Sequence, residues 1–454
     1  MNPYKPYPAY KDSGVEWLGK VPEEWEVKRL RFVAHIQNSN VDKKSYANQK
    51  PVMLCNYTDV YYNERIMPDL AFMSATASDA EIEKFTLQSA DVIITKDSEE
   101  ADDIGIPAYV PQAMPGVICG YHLAILKSYG VIGEFLFRIL QSQPTKAYFF
   151  VEVSGVTRFG LGQDMIGNIP VPLPSSYEQV SICRWIDRET ARIDALTSKK
   201  SRFIELLREK RQALITLTVT RGLNPNVKLK DSGVDWLREV PEHWEVKQIK
   251  YLSTLISKGT TPTTINAKFT SEGVRFIKAE NISDGKVLAQ PEFYIAEDAH
   301  ATLARSDLQE NDVLVVIAGA TTGKSAILNE SLLPANTNQA VSFIRPTDKR
   351  YSRYIDLWLN TNIVKSYVLL NSVQSAQPNL SMEDLGNIPI PFPPLAELLK
   401  IIEFLGLETT RINSLISKTQ HSINLLKERR AALITAAVTG QIDVRYNSST
   451  NTKP

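Results

Sequence analysis

Between Glu178 and Thr220 the chain has neither proline nor glycine, and its apolar residues Ile186, Ile193, Leu196, Phe203, Leu207, Leu214 and Leu217 fall at steps of 7, 3, 7, 4, 7 and 3. That is an a/d stripe of heptad type and predicts one long amphipathic helix. Ser175 and Glu178 form a capping-box signature just after Pro174, and Gly222 supplies a stop. The same frame returns at Leu405, Ile412, Leu415, Leu426 and Leu433, started by Pro394 and closed by Gly440. At 1.5 Å per residue each helix is roughly 60 Å long. Elsewhere the pattern shortens to β-rich runs, ADVIITK from Ala90, NDVLVVIAG from Asn311 and AVSFIRP from Ala340, mixed with helical stretches at FLFRILQS from Phe135 and YIDLWLNT from Tyr354.

The helices belong to a larger repeat. KDSGVEWLGKVPEEWEVKR from Lys11 matches KDSGVDWLREVPEHWEVKQ from Lys230 at 14 of 19 positions, a shift of 219. The same shift carries GNIPVPLP from Gly167 onto GNIPIPFP from Gly386, and LLREKRQALITLTVT from Leu206 onto LLKERRAALITAAVT from Leu425. Residues 31–160 and 250–379, by contrast, share little visible similarity. The chain is two copies of one plan, each a variable globular segment followed by a constant helix.

The expected fold class is α+β, with two α+β domains separated by two long antiparallel coiled-coil helices and related by an internal pseudo-two-fold repeat. Boundaries fall at 1–174, 175–222, 223–393 and 394–442, with a flexible tail at 443–454. Antiparallel pairing gives each apolar stripe a partner of matching length and places the globular segments at opposite ends of a rod. Trp17, Trp25, Trp236 and Trp244, repeated in both copies, are expected to pack at the start of each domain.

Composition narrows the function. Fifty-one Lys plus Arg balance 51 Asp plus Glu, so any nucleic-acid surface must be a local patch. Residues 25–164 hold 13 basic and 17 acidic side chains, residues 244–383 hold 14 of each, and residues 184–211 hold nine basic and five acidic. Cys55, Cys119 and Cys183 are far apart in sequence and offer neither a disulfide framework nor a zinc ribbon, which fits a cytoplasmic protein. No secretory h-region and no run of 18 uncharged apolar residues is present.

Catalytic motifs are weak. AGATTGKS from Ala318 is one residue away from a phosphate-binding loop, but SAILNESLLP after it reads as strand, so a hairpin turn with Lys324 at its tip is expected. Asp42-Lys43-Lys44 has nuclease-like spacing without an upstream Pro-Asp pair. The five histidines show no metal-ligating spacing.

The constant pieces, together with GTTPTT from Gly259, FIKAENI from Phe276 and NTNQAVSFIRP from Asn336, resemble the specificity subunit of type I restriction-modification enzymes. The resemblance implies two target recognition domains, each reading half of a bipartite double-stranded DNA site, on a chain that is not itself an enzyme. It implies methyltransferase subunits that bring S-adenosylmethionine, and restriction subunits that bring ATP and Mg. Gly406-Leu407 stands where Asp187-Arg188 occurs in the first copy, a departure near the start of the second helix.

Reading bases needs Arg, Lys, Asn or Gln at base edges, with phosphate contacts fixing register. Candidates are Lys43, Lys44, Asn56, Tyr57, Lys96 and Arg158 in the first domain. In the second they are Lys258, Thr260, Lys278, Asn281, Lys324, Asn338 and Gln339. Two other readings fit the residues: a coiled-coil scaffold with protein-binding ends, and a self-contained nuclease or NTPase.

Overall fold

A computed structural model describes residues 5–153, 155, 158–283, 285–372 and 379–445. It contains both long helices, Ser176–Arg221 and Leu395–Val438. Two compact units result, one of residues 1–201 with 420–454, the other of residues 202–419. The dividing points fall inside the helices, not at the ends expected from the sequence, because each globular segment packs on one half of each helix.

In the first unit, strand Ala34–Asn38 pairs with Leu123–Ser128, which pairs with Val92–Thr95 and then Pro107–Tyr109. A second sheet sets Lys50–Cys55 between Met73–Ala77 and the parallel strand Val117–Cys119. The second sheet packs in a separate core against Ile93 and Ile125 on one face of the first sheet, while apolar residues of helix Gly133–Leu140 join the core on the other face. The opening half of the first long helix supplies Ile182, Trp185, Ile186 and Ile193 to that core, and the closing half of the second supplies Leu433, Ile434, Ala437 and Val438. This is the packing of an antiparallel pair.

The second unit repeats the plan. Ser253–Lys258 pairs with Val341–Pro346, then Val313–Val316 and Ser325–Ile327, while Val274–Ile277 runs parallel to Ala335–Thr337. Helices Tyr351–Leu359 and Asn362–Ser372 stand close to 219 residues beyond Gly133–Leu140 and Gln143–Glu152. The variable segments therefore share a framework that their side chains do not advertise. Ile215 and Val219 of the first long helix meet Leu398, Ile401 and Leu405 of the second in one core.

The constant frame works alike in both units. Strand Glu26–Arg29 pairs with Pro170–Leu173, and Glu245–Gln248 with Pro389–Phe392, so each globular segment is closed at its root by the pieces that repeat. Trp25 and Trp244 are fully buried there, and the Trp244 Nε1 donates to Glu397 Oε2 at 3.1 Å. Trp236 stacks on Tyr367 with ring centroids 4.7 Å apart, whereas Trp17 stays 40% exposed. Gly440, at a φ of 73°, ends the second long helix where a Cβ would lie 2.2 Å from Pro22.

Four expectations need correction. Leu196, Phe203, Leu217 and Leu415 lie on the expected stripe yet are exposed, while Ile182, Ile204 and Ile215 are buried, because the globular segments claim part of each helix's apolar face. At the start of the first long helix, the Glu178 amide donates to Ser175 Oγ at 3.3 Å, but the Glu178 carboxylate accepts from Tyr7 Oη at 2.6 Å, so only half of the capping box forms. Asp443 and Val444 are buried, which moves the start of any tail past them; residues 446–454 lie outside the described residues. Finally, Cys55 and Cys119 are register partners on neighbouring strands despite their separation in sequence. Both are buried free thiols, and burial pushes them up, away from reactivity.

Candidate nucleic-acid interface

Cys55 and Cys119 end a parallel strand pair, so Asn56 leaves the sheet beside Gly120. Asn56 begins helix Tyr57–Tyr62, its amide donating to Asp59 Oδ2 at 2.7 Å. Tyr57 and Tyr61, one turn apart, stack at 5.6 Å, and Tyr62 stands exposed next to them. Across from this helix, Lys43, Asp97, His122 and Arg158 complete a cleft of about 610 Å³. A smaller cleft of about 180 Å³ adjoins it, lined by Asp42, Lys43, Asn56 and Tyr121.

The cleft carries both signs of charge. Asp97 Oδ2 lies 3.1 Å from Lys96 Nζ and 3.0 Å from His122 Nδ1. Burial raises the Asp97 carboxyl, but the His122 hydrogen bond and the Lys96 ammonium outweigh it and hold the group below its usual range. Glu99, Glu100 and Asp103 also line the cleft, and Asp103 accepts from Tyr61 Oη at 2.7 Å. That bond, with burial, pushes the Tyr61 phenol up to about 12, so it stays a donor at neutral pH. Arg158 and Lys43 are exposed, and the Arg158 guanidinium reaches toward His122 Nδ1 at 3.5 Å.

Lys43, Tyr57 and Arg158 are thus brought together, with Asn56 and Lys96 at the margin. Lys44 is exposed and does not line the cleft; its amide donates to Asp42 Oδ1 at 2.8 Å, so Asp42 serves a turn. Sequence reasoning missed Tyr61, Tyr62, Asp97 and His122. The tyrosines of YTDVYY at i, i+4 spacing were the available signal; His122 had none, because its partners are remote in the chain.

In the second unit the equivalent parallel pair ends at Ile277 and Thr337, so Lys278 and Asn338 leave the sheet side by side. Lys258 ends its strand, and Gly259 passes so close to the Thr337 carbonyl that a Cβ would sit 1.7 Å from the oxygen. Thr260 donates its amide to Thr337 O at 3.1 Å, and the Thr261 hydroxyl meets Gln339 Oε1. Lys258, Thr260, Asn338 and Gln339 therefore share one loop pair. The Lys278 ammonium lies 3.3 Å from the Phe293 ring centroid, a cation–π contact that pins it at the edge of this surface.

Asn281 and Lys324 do not join them. Asn281 is buried; its Nδ2 donates to Leu288 O and Pro291 O, and its Oδ1 accepts from the Lys278 amide at 3.0 Å, so the side chain is consumed by the turn. Lys324 lies where the hairpin between Val313–Val316 and Ser325–Ile327 closes, and it lines a different pocket. AGATTGKS thus joins two antiparallel strands and opens no helix, which removes the geometry a phosphate-binding loop requires.

Comparison with known proteins gives this geometry a family. A family model, the type I restriction modification DNA specificity domain, matches residues 22–206 and again residues 241–425. The chain belongs to that family. The EcoBI specificity subunit of a type I restriction enzyme from Escherichia coli is 23% identical over 303 residues, 65% of this chain and 63% of that relative, so this alignment spans less than two-thirds of the relative. The MjaVIII specificity subunit of Methanocaldococcus jannaschii is 22% identical over 437 residues, 94% of this chain and 95% of its own. Among solved structures, a chain from a study of complex assembly and conformational transition of the type I R-M system superposes with a TM-score of 0.71 at 16% identity, covering 93% of this chain and 99% of that one. The HsdS subunit from Thermoanaerobacter tengcongensis superposes at 0.52 with 17% identity, covering 93% and 98%. No helix among the described residues is long and apolar enough to cross a membrane.

Proposed function

We propose that this specificity protein divides its reading between its globular segments, each taking one half of a bipartite double-stranded DNA site, while the long helices set the gap. In the first unit Lys43 and Arg158 hold phosphates, because the acidic lip at Glu99, Glu100 and Asp103 repels backbone elsewhere. Asn56, Tyr57 and Lys96 then face base edges, and carboxylates near them suit the amino group of cytosine. In the second unit Lys258 and Lys278 hold backbone, and Thr260, Asn338 and Gln339 read.

One observation carries this proposal. Both units end the same parallel strand pair at the same place, yet one presents Asn56 there and the other Lys278 and Asn338. A common scaffold with unlike loops at one position is what two separate readers require.

The exposed apolar residues Leu196, Phe203 and Leu217 on the first helix, and Leu407 and Leu415 on the second, support docking of methyltransferase subunits. Those subunits bring S-adenosylmethionine, and restriction subunits bring ATP and Mg. The bond-making steps belong to them, in the cytoplasm.

Exchanging residues 250–379 for the corresponding segment of a relative with another specificity tests the division. One half of the methylated motif is expected to change, with the other half and the gap preserved. Loss of both halves, or of neither, overturns the proposal.

A further inference from the structure

Arg211, Lys324, Arg353 and Lys365 line one pocket of about 170 Å³ in the second unit, together with Asp356 and Asn413. Arg211 comes from the first long helix and donates to Asn413 Oδ1 on the second at 2.6 Å. Among the described residues, neither Arg211 nor Lys324 meets a carboxylate at ion-pair distance. Among the described residues Asp356 is the acid of the lining, and its charge is already shared: Ser325 Oγ donates to it at 2.8 Å, Asn360 Nδ2 at 2.9 Å and Arg353 at 3.1 Å.

The first unit builds the same place differently. Arg430, the repeat partner of Arg211, is held by Asp194 at 3.0 Å and by Glu64 at 2.8 Å. Arg65 and Arg138 there are neutralised by Glu134, Asp187 and Glu64. At the shift of 219, Asp194 becomes Asn413, Asp187 becomes Gly406 and Glu134 becomes Arg353. The same shift turns Phe137 into Asp356 and Arg138 into Leu357, so this corner of the second copy exchanges three carboxylates for one, while a guanidinium moves from position 138 to the place of Glu134.

We propose that this pocket binds a phosphate-class oxyanion, which takes the place of the carboxylates that the first unit supplies from its own chain. Guanidinium forks match the tetrahedral oxyanion in pairs, and Lys324 adds a point charge from the hairpin. The oxyanion would tie the two helix halves of this unit to its globular segment, as Glu64 and Asp194 do in the other. Two sources have this chemistry: free inorganic phosphate and a phosphodiester of the DNA backbone.

Titration of the full chain with inorganic phosphate at constant ionic strength, read by calorimetry and by the unfolding midpoint, tests this. Wild type is expected to bind and to gain stability. Lys324→Gln should weaken binding on the order of tenfold, the size of one charge-assisted hydrogen bond. Asn413→Asp returns the carboxylate that the first unit has at this place and should fold normally by circular dichroism while losing the response to phosphate.

Should phosphate fail to bind while both variants weaken DNA binding at low salt, the source is the backbone and the site stands. No effect in either arm overturns it. Asp284, next to Gly285 of the lining, lies outside the described residues; binding that emerges only in Asp284→Asn would mean that the chain fills its own pocket, which also overturns the proposal.

Discussion

Arg430 Nε lies 3.0 Å from Asp194 Oδ1 while its Nη1 reaches Glu64 Oε1 at 2.8 Å, so one guanidinium joins both long helices and the globular segment of the first unit. Its side chain is largely buried, and removing it strands Glu64 beside Arg138 without its main partner. Arg430→Ala is expected to cost about 2–4 kcal/mol in denaturant unfolding, since loss of one member of a buried charge network exceeds that of a surface pair. Asp194→Asn, at a more exposed partner, should cost under about 1 kcal/mol.

Acid should act on the units in opposite senses. Burial raises the Glu64 carboxyl, but Arg430 outweighs it and holds the group below its ordinary value. A depressed folded value stabilises at pH above the unfolded value, about 4, and this stabilisation is lost as pH falls through the folded value. Asp97 adds to that loss in the same unit, and Asp91, raised by burial, opposes it. In the second unit burial raises both Asp312 and Asp356, against Arg345 and Arg353. Those groups favour the folded state more as pH falls into the window just above the unfolded value. Hydrogen exchange should show protection rising around Asp312 between about pH 6 and pH 4 and falling around Glu64 as the pH drops below about 4, with the second trend blunted in Arg430→Ala.

Surface and buried candidates should separate cleanly. Arg158→Ala is expected to weaken DNA binding of the assembled complex for all sequences and to flatten the slope of log K against log salt by about 1. Asn281→Ala should cost about 1–3 kcal/mol of stability through unsatisfied turn groups and leave the bases read unchanged. A shifted base preference from Asn281→Ala would contradict its placement.

Spacing has its own test. One heptad added to each long helix lengthens the pair by about 10 Å, roughly three base pairs. Methylation mapping should return the same half-sites with a wider gap; altered half-sites would mean that the helices read bases.

Periodicity and repetition made much of the scaffold legible. The heptad steps from Ile186 to Leu217 and the matched pieces around Trp25 and Trp244 announce two long helices on two like domains. The exposure of Leu196 and Phe203 was not legible, because a heptad stripe does not say which of its positions a globular neighbour will claim. Nor was the cleft: Lys43, Tyr57, Asp97, His122 and Arg158 converge only through sheet pairing. Asn281 and Lys278 looked equivalent in FIKAENI, yet one side chain is spent inside a turn and the other rests on aromatic rings. The contrast between Asp194 and Asn413 is visible in the sequence alone, but its meaning depends on Arg430 and Arg211 standing beside them.

Genome-wide mapping of modified bases in a host carrying this gene with its methyltransferase partner tests the central claim most directly. Two short specific elements separated by a fixed run of unspecified bases are the expected result. An unbroken motif, or modification independent of this chain, would contradict it.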